Sequence, residues 1–277
     1  MTYSTENASS LRDFDRPDDR IRQHRQVDDG PIIIVEGPTD QQLLQEHLPD
    51  VKFFPVDGKV NVLRCLRQLN AWGIQKVIGI TDRDFDGPNQ IEPEIADMHM
   101  HYQGRDLEAM LIELGVLATT LEYIGSRHKL SAVGGAQQFI DRLRTVVTPI
   151  MRLRLHNMQK GWGLPFDEID LAGKLERRTV ELKLESYCAA LSSHYSCDAS
   201  IEEIRTATAD DSIDDGHGPR GKDIVIAAGV GLRHLVGSLQ QAATGENVLA
   251  AMLYSSSGLA ISRSEWLRRV RLLLEQM

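Results

Sequence analysis

Three features of the sequence between Pro31 and Leu114 predict an α/β fold with a Rossmann-like, mostly parallel sheet. They are short β-branched runs, helical segments of about 10 to 13 residues between them, and abrupt turns at each strand end. The first run, Pro31-Ile-Ile-Ile-Val35, is apolar throughout, as a strand covered on both faces must be, and stops at Glu36-Gly37-Pro38. Thr39 to Leu48 carries Leu43, Leu44 and Leu48 at helical spacing, with Thr39 as cap and Pro49-Asp50 as stop. Val51 to Val56 reads as the second strand and Asp57-Gly58 as its turn. Val60 to Trp72 is then a helix with Val62, Leu63, Leu66 and Leu69 on one face. Lys76 to Ile80 is the third strand. A loop containing Asp86-Gly87-Pro88 leads to a short strand, Met98 to Tyr102, and a helix, Arg105 to Leu114.

From Leu117 onward the strand signal fades. Helices are predicted over Ala136 to Val147, Met151 to Gln159, Ile169 to Leu191, Ile224 to Gln241 and Ser264 to Met277. Residues 1–29 hold seven acids and five arginines without an apolar period, which predicts a flexible arm or docking segment. The chain thus divides into an arm (1–29), an α/β core (30–125) and a helical region (126–277) expected to complete the site.

Composition narrows the function classes. No apolar run is long enough for a membrane span and no leader pattern opens the chain, so a cytoplasmic protein is expected. Three cysteines without a C-x-x-C pair exclude a disulfide framework and a four-cysteine zinc site. With 31 basic and 40 acidic residues the net charge is −9, which argues against coating nucleic acid by bulk charge but not against an enzyme acting on it. The charge is uneven: Arg127 to Lys160 has seven Lys/Arg against Asp141 alone, and Asp198 to Asp215 has seven acids against Arg205.

Parallel sheets present their functional residues beyond the carboxyl ends of the strands. Glu36 and Asp40 follow the first strand, and Asp82, Asp84 and Asp86 follow the third. Carboxylates gathered there raise one another's pKa unless cations neutralise them, and an all-oxygen set suits Mg²⁺ or Mn²⁺. Taken alone, an Asp-x-Asp after a strand is more often a polar turn. The run Asp82-x-Asp84-x-Asp86-Gly87 imitates a calcium loop, but Pro93 stands where its bidentate Glu is required. A phosphatase carrying an Asp-x-Asp nucleophile would have it after the first strand, which here ends in Glu36.

The run Ile32 to Asp40, with Glu36-Gly37, and the run Val77 to Gly87, with Asp82-Arg-Asp84, resemble the TOPRIM domain of topoisomerases, primases and overcoming-lysogenization-defect nucleases. The acid at Asp40 and the run Arg105-Asp106-Leu107-Glu108 resemble the last branch. They resemble still more the stand-alone TOPRIM effectors encoded beside ABC-type ATPases in phage defence (PARIS-like). The resemblance covers about residues 31–114 and reaches weakly to Gly221-Lys222-Asp223.

It implies a nuclease that cleaves DNA or tRNA with two Mg²⁺ or Mn²⁺ ions, Glu36, Asp40 and Glu108 holding one and Asp82 and Asp84 the other. Glu36 alternatively acts as general acid/base. Lys222 would neutralise the phosphate in the transition state, or is a solvated lysine at a helix start. The chain has no P-loop, so the ATPase would be a separate regulatory partner, with a homodimer as an active form. The alternative of another class is a scaffold that binds an ATPase or nucleic acid without cleaving.

Arg142, Arg144, Arg152, Arg154 and Lys160, interleaved with leucines, are the candidate phosphate-binding residues, against the plainer reading of a solvated helix face. The acidic stretch Asp210 to Asp215 reads as a mobile loop. His99, His101 and His217 lack ligand spacing, and Cys188, His194 and Cys197 read as packed residues. The terminal helix has Leu267, Val270, Leu273 and Leu274 on a stripe that suits either docking or core packing.

Overall fold

The computed structural model describes residues 16–85 and 91–276, and the chain divides into two compact units. The first comprises residues 1–81, 91–101 and 268–277, the second residues 82–90 and 102–267.

The first unit is built on a four-stranded parallel sheet: β1 (Ile32–Val35), β2 (Lys52–Pro55), β3 (Val77–Thr81) and β4 (His99–His101), in the order β2-β1-β3-β4. The α/β class and all four strands agree with the sequence reading. β1 lies between two neighbours and all four of its residues are fully buried, which is why its run is unbroken Ile and Val. The register sets Val35 opposite Pro55 and Ile80, so β1 and β2 end level and β3 runs one residue further, to Thr81.

The helix α2 (Pro38–Gln45) opens with proline at its first position, and Asp40 Oδ2 accepts the Gly37 N–H at 3.0 Å. The helix α3 (Lys59–Ala71) lays Val62, Cys65, Leu66 and Leu69 on the sheet. Gly79 in β3 makes that approach possible, because a Cβ there would stand 2.7 Å from side-chain carbons of both Val62 and Leu66.

Part of the expected arm is ordered. Residues Pro17–His24 form a helix, α1, whose Ile21 is fully buried in the same cluster as Val62 and Leu69. Arg25 Nη1 donates to the Gly30 carbonyl at 2.5 Å, and Nη2 to the Gln75 carbonyl at 3.0 Å, holding the helix end to the entry of the sheet. One isoleucine per two turns is too sparse a pattern to read as amphipathic. Residues 1–15, the rest of the expected arm, lie outside the described residues.

The second unit is helical: α4 (Leu107–Glu113), α5 (Val116–Ile124), α6 (Arg127–Ala132), α7 (Ala136–Lys160), α8 (Leu184–Ser192), α9 (Ile201–Thr208), α10 (Gly221–His234), α11 (Glu246–Ser256) and α12 (Gly258–Ser262). The segments predicted on either side of Pro149 are one helix of 25 residues. Burial of Phe139, Leu143, Val147, Ile150 and Leu153 against α5, α9 and α10 overrides the hydrogen bond that proline removes.

The helix predicted over Ile169 to Leu191 forms only over its last third. Before it the chain makes short 3₁₀ turns and an antiparallel bridge, Leu175 with Leu182, closed around Val180 at φ 61°. The last helix, α13 (Glu265–Glu275), begins in the second unit's stretch of chain and continues in the first's. Its Leu267 and Val270 are fully buried, so these two residues of the stripe belong to the core and not to a docking face. Among the described residues no helix is long and apolar enough to cross a membrane.

Candidate active site

In the second unit the chain leaves β3 through Asp82-Arg83-Asp84, where the N–H groups of Arg83 and Asp84 both donate to the Arg105 carbonyl, at 2.9 and 3.0 Å. Asp84 takes a left-handed conformation, φ 53°, which aspartate tolerates better than most residues. The Arg105 side chain is fully buried beneath this turn. Its Nη1 donates to the Asp84 carbonyl at 2.6 Å and its Nε to the Gly218 carbonyl at 2.9 Å. The same guanidinium pairs with both Asp215 oxygens at 2.9 and 2.5 Å, and its carbon lies 4.0 Å from the centre of the Phe85 ring. One side chain thus ties the Asp-x-Asp turn to the segment leading into α10. Burial raises the Asp215 carboxyl, but the hydrogen bonds and charge of Arg105 hold it below the ordinary aspartate value.

Three functional candidates meet here. Asp82 Oδ1 accepts the Leu107 N–H at 3.2 Å, and Asp82 Oδ2 lies 3.7 Å from Lys222 Nζ. Burial lowers the Lys222 ammonium, yet the charges of Glu108 and then Asp82 raise it above the ordinary lysine value, so it is fully protonated at neutral pH.

Glu108 is 3% exposed. Its Oε1 accepts the Tyr254 hydroxyl at 2.5 Å, while the buried Oε2 has no hydrogen-bond partner. A carboxylate oxygen out of reach of water and partner is costly unless a cation serves it, and it is the feature of this site that fits a metal ion. Burial and then the Glu108 charge raise the Glu246 carboxyl nearby.

The remaining acid of the run, Asp106, is already engaged with backbone: it caps α4 through Ala109 N–H at 2.8 Å and also accepts from Gly221 N–H at 2.9 Å. Burial, then the neighbouring charge of Glu108, pushes its carboxyl up to about 6.

Glu36 and Asp40 stand at the carboxyl end of β1, in the sheet unit. At the end of β3 in that unit, Thr81 Oγ1 is 2.9 Å from His99 Nε2 and 3.3 Å from His101 Nδ1. Among the described residues, no three His, Cys, Asp or Glu side chains are grouped as they stand to hold a metal. Asp86 and the rest of the calcium-like run lie outside the described residues.

The candidate arginines of the basic tract all have partners within the protein. Arg142 donates to the Thr179 carbonyl, Arg144 pairs with Glu113 and Asp141, Arg152 with Asp211, and Arg154 with Asp223 while lying over the Phe166 ring. The acidic stretch read as a mobile loop supplies several partners: Asp210 to His156, Asp211 to Arg152 and Asp215 to Arg105. The two opposite excesses of charge meet at Arg152 with Asp211 and His156 with Asp210. Of the five candidates Lys160 alone is exposed, at the end of α7.

Cys188 is buried and His194 pairs with Glu168 at 2.7 Å.

The sequence reading missed Arg105 as the hub, Asp106 as a cap and Tyr254. An acid three residues before Ala109 is a readable helix cap, and nothing in the sequence marks Tyr254. No known protein family has a model that matches this sequence, and no curated protein matches it.

Proposed function

We propose that the chain is a divalent-metal-dependent nuclease of the TOPRIM type. The observation that carries the proposal is the buried, unpartnered oxygen of Glu108 beside the ion pair of Lys222 and Asp82. A surface turn has no use for this arrangement, because an exposed carboxylate is served by water. Glu108, Asp82 and Asp84 are the second unit's candidate ligands, and Glu36 and Asp40 are those of the sheet unit.

A bound divalent cation supplies charge stabilisation to the phosphoryl oxygens. The chain's own groups do the rest. Tyr254 orients Glu108 through its hydroxyl, and Lys222, held protonated, offers its ammonium to the charge that builds on the phosphate. Control by an ATPase on a second protein belongs to the same proposal and rests on the resemblance alone.

The test incubates the purified chain, alone and co-expressed with any ABC-type ATPase encoded beside it, with plasmid, single-stranded DNA and total tRNA in Mg²⁺, Mn²⁺ or EDTA. Metal-dependent cleavage of one substrate, lost in Glu108→Gln and Asp82→Asn, is expected. Cleavage that survives EDTA or both substitutions overturns the assignment. Absence of cleavage in every arm leaves the non-catalytic scaffold as the reading.

A further inference from the structure

The carboxylate of Asp106 is 0% exposed, and it accepts backbone N–H groups from two helices, the second of which starts 115 residues further along the chain than Asp106 itself. Oδ1 takes Ala109 of α4 at 2.8 Å and Gly221 of α10 at 2.9 Å, and Oδ2 takes Lys222 at 3.3 Å. A helix start leaves its first N–H groups without internal partners and carries partial positive charge, so one anion answers both ends. The residue in the cap position of α10, Arg220, makes no side-chain capping bond, so the cap of α10 comes from another helix.

The approach also depends on residue 221. A Cβ at Gly221 would lie 2.0 Å from the Ala109 nitrogen and 2.5 Å from Asp106 Oδ1, so any larger residue forces the two helix starts apart. The adjoining residues are the functional candidates: Glu108 is in the first turn of α4 and Lys222 in the first turn of α10.

We propose that Asp106 is a positioning residue, a single carboxylate that caps α4 and α10 together and so sets Lys222 against Asp82 and Glu108 without touching substrate. The inference rests on the nuclease reading for its consequence on rate, and on hydrogen bonding alone for its structural half. Serine is the informative replacement, since its short hydroxyl still caps α4 locally but does not span to α10. Asparagine keeps one acceptor oxygen and turns an N–H₂ toward a backbone N–H.

The experiment measures amide exchange at Gly221 and Lys222 by NMR, together with kcat and KM for metal-dependent cleavage, in Asp106→Ser, Asp106→Asn and Gly221→Ala. Asp106→Ser is expected to speed exchange at both amides by roughly tenfold or more and to lower kcat by about a hundredfold with KM within about threefold. Gly221→Ala, which keeps the carboxylate but separates the helices, is expected to act in the same direction, and it decides the matter if Asp106→Ser does not fold. Unchanged exchange, or faster exchange with unchanged kcat, overturns the proposal. If the wild-type protein cleaves nothing, the nuclease reading fails by itself, and the exchange rates still decide whether the two helices share a cap.

Discussion

Arg105 and Arg152 each bind an aspartate of the same acidic stretch, yet the two pairs differ in what surrounds them. Arg105 is fully buried and its Asp215 partner 30% exposed, whereas Arg152 is 21% exposed and Asp211 84% exposed. Buried, a guanidinium must satisfy most of its donors from protein, and Arg105 does so with two carbonyls and two carboxylate oxygens. Exposed, the pair competes with water and salt and contributes little. The lesson is that equal charges on one unit do different work: the buried set holds the Asp-x-Asp turn and the α10 entry in one arrangement, and the exposed set balances charge.

Replacing Arg105 by Met attacks the buried side directly. It leaves Asp215 and two carbonyls without their donor, so a loss of about 3 kcal/mol is expected in urea unfolding, with activity lost as well. A loss no larger than that of an exposed Arg→Gln variant would erase the contrast.

Glu108→Gln separates stability from chemistry within the buried set. It removes a buried charge beside Asp106 but keeps an acceptor for Tyr254, so the melting midpoint should hold while cleavage falls by about a hundredfold or more. Mg²⁺ should raise the midpoint of the wild type more than that of the variant.

The pH dependence of stability sharpens the same comparison, because the carboxyls of Asp106, fully buried, and Asp215, partly exposed, are shifted in opposite senses. The Asp106 carboxyl is raised to about 6, above its unfolded value near 4, so its stabilising contribution is complete below about pH 4 and is lost as pH rises through 6. Asp215 is held low by Arg105, so its contribution is present above the unfolded value and is lost as pH falls through the folded one. Urea unfolding of Asp106→Asn and Asp215→Asn against wild type should therefore show differences that shrink and grow, respectively, with rising pH. A common sign for both would refute the assignment.

The smallest effect is expected on the exposed side. Asp211→Asn should move the melting midpoint by no more than about 2 °C, and less at high salt. The same variant removes the ion pair of Arg152 and leaves its bond to the Thr208 carbonyl, so a raised affinity for nucleic acid with a steeper salt slope would support that arginine as a substrate-binding residue.

The α/β class, the four strands and the residues at their carboxyl ends were determined by sequence alone, because burial on both faces demands uninterrupted apolar runs and the turn after a strand is a local matter of Gly, Pro and Asp. The Asp106 cap of α4 is legible by the same local logic, although the helix is predicted to begin at Arg105. Tertiary structure decided what local pattern does not carry. Pro149 sits inside a continuous helix because packing on three neighbours outweighs one lost hydrogen bond. Ile21 makes a helix of part of the arm because a distant core receives it. The arginines of α7 are paired with residues up to 69 positions away, a pairing that periodicity cannot register. Lys222 meets Asp82 because a glycine and a shared carboxylate bring two helix starts together, and hydrogen bonds that span more than a hundred residues leave no period in the sequence.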